Sequence, residues 1–434
     1  MELSRLTELA KEDSERKFFS IAHHLTLAML YEAFTSLRKD ASAGVDGVTY
    51  REYEKQAVAS IQELHSRLKD GTYRAQPLRR IYIEKEDGRK RPISIPSLED
   101  KILQRATVTL LNAIYEQDFL DCSYGFRPGR GAQDALDEVG RVICRKPTAY
   151  VLELDISSYF DTIVREQLME MIEKRISDAS ILRLLRKWIN VGVIDEGRLL
   201  LSETGTGQGQ IISPLLANVY LHFVLDKWFA DVVTPRLKGR AFAIRYADDG
   251  LLCFERREDA EKVLAVLPKR FAKFGLTLHP AKTRLVHFGR SALAKAERGG
   301  VKADTFDFLG FTHLCARSRQ GRFTLHVKTM KKRLRRSLTA AADWCRRHRH
   351  DPVLEQRRTL NAKLRGHYQY YGRPTNYRSL RKFYRKVRCL WKTWLTRRTR
   401  GRRLTWERYA RFLQRYPLAV PRITRSWAGA ASRT

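Results

Sequence analysis

Apolar and polar positions alternate in one short run of this chain that leads to an acid, and a second apolar stretch is interrupted by an acidic tip. Tyr150-Val151-Leu152-Glu153-Leu154-Asp155-Ile156 has the period of a half-buried β-strand and reaches Asp155 near its end. Phe242 to Phe254 reads as two strands, rich in aromatic and branched residues, around the tip Tyr246-Ala247-Asp248-Asp249. Ser157 to Asp161 follows the first run as a turn into a helix. Helical spacing sets in at Ser213-Pro214, expected to be N-cap and first turn, with Leu215, Leu216, Val219, Phe223 and Val224 on the core face. It returns near the C-terminus: Lys331 opens one helix, Asp351-Pro352 marks a break, and Tyr377, Leu380, Phe383, Tyr384 and Val387 recur at helical intervals. Trp391, Trp394, Trp406 and Tyr409 continue that pattern.

The acidic ends change the picture from fold to chemistry. Two neighbouring carboxylates at a tight turn are costly to bury without partners, and hard oxygen ligands suit Mg²⁺. An ordinary polar turn explains Tyr-x-Asp-Asp equally well when it stands alone, and a helix-capping carboxylate explains Asp155. Together they say more. If the two strands pair centrally, Asp155 and Asp248 converge at one end of a sheet, where two metal ions suited to phosphoryl transfer could sit.

Composition then divides the chain. Its 434 residues suffice for about three domains at roughly 150 residues each. The formal charge is +35, and Val327–Thr434 carries most of it: 32 Lys and Arg against Asp343, Asp351, Glu355 and Glu407. Basic side chains there interleave with aromatics, as in Leu360 to Tyr371, the pattern of a helical nucleic-acid clamp whose rings mostly form bundle core. Six scattered cysteines without a Cys-x-x-Cys pair suggest a reducing compartment, with neither disulfides nor zinc. There is no apolar run of membrane-spanning length and no signal-peptide core, so no membrane partner is expected and the location read is cytoplasmic, with nucleoid or ribonucleoprotein association.

With these blocks in order, the chain resembles the reverse transcriptases encoded by bacterial group II introns. The resemblance runs through Ala43-Gly44-Val45-Asp46-Gly47, Ile81 to Pro96, Ser123 to Arg130, Gly207-Gln208-Gly209 to Asn218, the acidic hairpin, Leu278 to Thr283, and Phe308-Leu309-Gly310-Phe311. Gly207, Glu84 and Ile93-Ser94 depart from the family's usual residues. The resemblance implies an α+β right-hand polymerase: an N-terminal extension over 1–75, fingers and palm over 76–326, and a helical thumb and maturase domain over 327–434. It implies RNA-directed DNA synthesis with two Mg²⁺ ions (Mn²⁺ as a possible substitute), dNTPs, an RNA template and a DNA primer or target, together with binding of a group II intron RNA to assist splicing and retrohoming.

Residue roles follow from the same resemblance. Asp155, Asp248 and Asp249 are the catalytic acids, and Asp155, Ile156 and Asp248 the metal set. Arg79, Lys85 and Arg91 would bind the triphosphate, with Phe160 gating the ribose, Gln208 in the glycine-flanked loop, and Lys282 assisting pyrophosphate. Nucleic-acid contacts are expected from Arg127, Gly310, Lys331, Lys332, Arg335, Arg336, Lys363, Arg365, Tyr368, Arg373, Arg381, Lys382, Arg385 and Lys386. The chain stops soon after Trp427, so a target-cleaving endonuclease is not expected. Three other readings stay open: a free-standing reverse transcriptase in phage defence or repair, a maturase with a vestigial polymerase site, and a polymerase that makes RNA.

Overall fold

The computed structural model describes residues 3–84, 88, 90–195, 197–200, 204–398 and 404–425. It is an α+β protein of helices and three largely antiparallel sheets, in two compact units: 1–135 with 152–285, and 136–151 with 286–434.

The first unit is built around a buried helix, Leu98–Asp118. Ser97 caps it by accepting from the Asp100 N–H, and Ile102, Leu103, Ala106, Leu110, Leu111 and Ile114 have no exposed surface. The N-terminal helices Leu3–Glu12 and Leu27–Thr35 pack on it. Four strands, β1 (Leu78–Glu84), β2 (Lys90–Ile95), β4 (Val193–Asp195) and β5 (Arg198–Leu200), form a sheet in the order β2-β1-β4-β5. A second sheet has the order β6-β7-β3-β8, from β3 (Tyr150–Asp155), β6 (Ala241–Tyr246), β7 (Asp249–Phe254) and β8 (Arg284–His287). Its central strands are therefore the two acid-bearing runs. Val151, Leu152, Ile244, Leu251, Leu252 and Phe254 are essentially fully buried.

The Ser213–Leu221 helix is buried all round, with Phe223 beyond it only half-buried. Ser213 does not cap it. Its hydroxyl instead donates to the Gly207 carbonyl at 3.0 Å, tying the preceding loop to the first turn. The helix then widens into π-helical turns over His222–Asp226 and Trp228–Val233.

In the second unit, β9 (Thr305–Phe308), β10 (Phe311–Arg317) and β11 (Phe323–Thr329) form an antiparallel meander. The helices Lys331–Arg347, Val353–Tyr371, Tyr377–Arg398 and Trp406–Arg415 follow. Leu360, Leu364, Tyr368, Leu380, Phe383, Val387, Trp391 and Tyr409 form their shared core, so these aromatics are bundle core as helical spacing suggests. No helix among the described residues is long and apolar enough to cross a membrane.

Candidate catalytic carboxylates and nucleic-acid face

Asp155 ends β3, and Asp248 lies in the turn that joins β6 to the neighbouring strand β7. Tyr246 pairs with Asp249, so the loop is two residues long, and Ala247 takes a left-handed φ of 56° at its first position. Hairpins of this length need such a conformation to match strand twist. The turn leaves Asp248 half-buried and Asp249 exposed at the head of β7.

The two acids feel each other. Burial pushes the Asp248 carboxyl above its ordinary value and the negative charge of Asp155 adds to the rise, while Arg91 and Lys282 pull the other way. Lys282 Nζ reaches Asp155 Oδ2 at 2.8 Å, and one rung along the same face of β3 Arg284 pairs with Glu153. Partly desolvated carboxylates held together this way fit a divalent cation. Among the described residues no group of three or more His, Cys, Asp and Glu gathers. Such a sparse set suits Mg²⁺, which is commonly held by one or two carboxylates plus substrate phosphates. Ile156 is bridged to Leu278 through the N–H of His279 on Asp155 O and the N–H of Ser157 on Thr277 O. That bridge does not consume the Ile156 carbonyl, which is thus a further oxygen beside Asp155.

Around the acids, the expected nucleotide-binding residues fall into different settings. Arg79 and Arg91 share a face of the β1–β2 hairpin, since Arg79 pairs with Ile95 and Ile83 with Arg91. Arg91 is exposed and close enough to act on Asp248. Arg79 instead donates through Nε and Nη2 to the Ala43 carbonyl at 3.1 and 2.7 Å, clasping the Ala43–Gly47 segment. Lys85 lies outside the described residues. Phe160 is half-buried beside the fully packed Tyr159, and its carbonyl accepts from the Thr206 N–H. Gln208 offers its carbonyl to the Ser94 N–H at 2.7 Å. Beside it Gly209 has φ 118° and a Cβ would lie 2.5 Å from Ser94 O, so only glycine fits. The buried Gln104–Gln210 pair at 2.8 Å fixes this loop from below.

In the second unit Lys331, Lys332, Arg335, Arg336, Lys363, Arg365, Arg381, Lys382, Arg385 and Lys386 are all exposed, on the helices that carry them. Three residues expected at nucleic acid are placed otherwise. Arg127 is buried, paired with Glu116 at 3.0 Å and donating to the Leu120 and Ser123 carbonyls. Arg373 is buried against Asp137 at 2.9 Å. Tyr368 is core, its hydroxyl donating to Ala419 O. Spacing could not separate these from their exposed neighbours, because a long side chain turns inward only when a partner waits there. Gly310 sits with Leu309 in the β9–β10 turn, both at positive φ.

Sequence reasoning passed over Gly125, Asn218, Asp226 and Arg245, which surround the Asp248 turn. The visible sign was Arg245, a cation inside an otherwise apolar strand.

Comparison with known proteins adds to this geometry. The family model described as reverse transcriptase (RNA-dependent DNA polymerase) matches residues 83–313. Protein YkfC of Escherichia coli K12 is 33% identical over 336 residues, 69% of this chain and 82% of that protein. The group II intron-encoded protein LtrA of Lactococcus lactis is 32% identical over 280 residues, 62% of this chain and 46% of LtrA. A 91 kDa protein in the cob intron of Schizosaccharomyces pombe is 32% identical over 226 residues, covering 28% of its length. The chain thus spans less than half of these two intron-borne relatives.

Proposed function

The chain belongs to the reverse transcriptase family of RNA-directed DNA polymerases, and from that premise we propose that it extends a DNA primer on an RNA template with Mg²⁺ while also binding its own group II intron RNA to assist splicing and retrohoming. The observation that carries the polymerase reading is the adjacency of β3 and β7, which brings Asp155 and Asp248 to one site.

Asp155 and Asp248, with the Ile156 carbonyl and Asp249 in support, would hold two Mg²⁺ (or Mn²⁺), which when bound neutralise charge on the attacking 3′-hydroxyl and the departing pyrophosphate. The protein's own groups do the rest. Arg91, exposed on the fingers hairpin and already acting on Asp248, meets the triphosphate; Arg79 holds the Ala43–Gly47 segment in place beside it. Lys282 neutralises Asp155 before substrate arrives and swings to phosphate afterwards, a move its half-exposed side chain permits. Phe160, half-buried next to the glycine loop, restricts the ribose, and Gln208 borders the base. The region 327–434 serves as thumb and maturase domain, gripping phosphates with its exposed cations. The location that follows is cytoplasmic, bound in a ribonucleoprotein.

Primer extension on a synthetic RNA template tests this directly. Incorporation of dNTPs over rNTPs in Mg²⁺ is the expected result; preference for rNTPs, or no extension by the intact chain, would overturn the polymerase reading. RNA that co-purifies with the protein should be intron sequence, and an unrelated RNA population would count against the maturase role.

A further expectation concerns the basic helices. Replacing Arg381, Lys382, Arg385 and Lys386 by Ala should weaken RNA binding across sequences and flatten its salt dependence, by about 0.9 in the log–log slope for each duplex phosphate no longer neutralised. Filter binding between low and high salt reads the slope; an unchanged slope would place the RNA elsewhere.

A further inference from the structure

We infer that Arg245 is a positioning residue for synthesis: a buried clamp that fixes the backbone of the Asp248 turn and so the distance between the two catalytic carboxylates. The inference rests on the polymerase reading above.

Arg245 lies in β6, three residues before Asp248, and is 2% exposed. All five guanidinium N–H donors are used. Nε and Nη2 grip the two Asp226 oxygens at 2.8 and 2.5 Å. Nη2 also reaches Ser123 Oγ at 2.8 Å. Nη1 donates to Asn218 Oδ1 and, within the turn itself, to the Ala247 carbonyl, each at 3.0 Å. The amide of Asn218 passes on to the Gly125 carbonyl at 2.7 Å, and Gly125 abuts the turn. Backbone bonds from Arg245 N–H to Cys122 O and from Tyr124 N–H to Arg245 O close the same ring.

A buried ion pair is weak evidence of stabilisation, since well-packed apolar residues often serve as well. What distinguishes this one is where the remaining donors go. One holds the peptide immediately before Asp248, at a residue in a left-handed conformation that non-glycine residues seldom adopt. Asp226 itself is delivered by the π-helical turn His222–Asp226, a local widening that helices commonly show at functional sites. The link from Arg245 to Asp248 runs through the backbone, by the Nη1 bond to the Ala247 carbonyl.

Arg245→Lys separates this role from plain core structure. Lysine keeps a charge for Asp226 but lacks the planar fork that reaches Ala247, Asn218 and Ser123 together. The expected result is a fall in kcat of about tenfold or more, in line with the cost of slightly misplaced reacting groups. Mn²⁺ binding, titrated by electron paramagnetic resonance, should weaken in parallel, while KM for dNTP and template-primer affinity stay close to wild type. The paired variant Asp226→Leu/Arg245→Met should fold, having no buried charge left, and should still not recover turnover. Wild-type kcat and Mn²⁺ affinity in Arg245→Lys, or turnover restored in the apolar pair, would overturn the clamp. If the wild type binds Mn²⁺ yet copies no RNA, the polymerase reading fails while the Mn²⁺ affinity of Arg245→Lys still judges the clamp.

Discussion

Asp248→Ala should abolish dNTP incorporation, by on the order of 10³-fold or more, and leave RNA binding nearly intact. The synthesis loss is expected because Asp248 is one of the two partly buried carboxylates at the sheet end, so its removal takes away a principal part of the charge that would hold the metal. RNA binding is spared because the exposed cations sit on helices of the second unit, in a region with 32 Lys and Arg. Folding should be spared as well: the substitution deletes a carboxylate that burial disfavours, and removing a desolvated charge leaves no orphaned partner pair. Primer extension beside filter binding and a melting curve measures all three. Retained synthesis would contradict the site assignment, and a loss of RNA binding would contradict the division of labour.

A substitution with no charge at all should come close to that effect. A Cβ at Gly125 would lie 2.3 Å from the Ala247 nitrogen and 2.9 Å from the Tyr246 carbonyl carbon. These are backbone atoms of the Asp248 turn, so no rotamer change relieves the overlap. Gly125→Ala must therefore either push the hairpin outward or break the Asn218–Gly125 bond, and a displacement near 1 Å at a reacting group costs about 10²-fold. Gly366→Ala is the matched control. Nothing lies within 4 Å of its would-be Cβ, and it sits inside the Val353–Tyr371 helix, where alanine is favoured over glycine by about 1 kcal/mol. Gly125→Ala should lower kcat and melting temperature; Gly366→Ala should keep activity and raise stability slightly. Equal behaviour of the two would show that the turn tolerates movement.

The strand ending at Asp155 was legible from its alternation, and the hairpin around Asp248 from its aromatic and branched flanks, although both β3 and β7 prove to be buried along most of their length and not on one face alone. The basic C-terminal region and its aromatic core were legible for a similar reason: helical spacing sorts Leu380, Phe383 and Val387 from Arg381, Lys382 and Arg385. Motif order then supplied the family. Ser213 misled because a serine before proline at a helix start has the composition of a cap, yet its hydroxyl found the Gly207 carbonyl.

Local pattern, then, determined which segments are strands or helices, where acid and base accumulate, and that Asp155 and Asp248 fall at the ends of strand-like runs. Only the tertiary structure decided that β3 lies beside β7, that Arg127, Tyr368 and Arg373 face inward, and that Arg245 is held by Asp226, Asn218 and Ser123. The reason is range. Periodicity records whether a position meets core or water, a property each residue carries along its own segment. The partner of a long charged side chain can lie as far off as Ser123 does from Arg245, 122 positions along the chain, and nothing in the neighbouring residues encodes it.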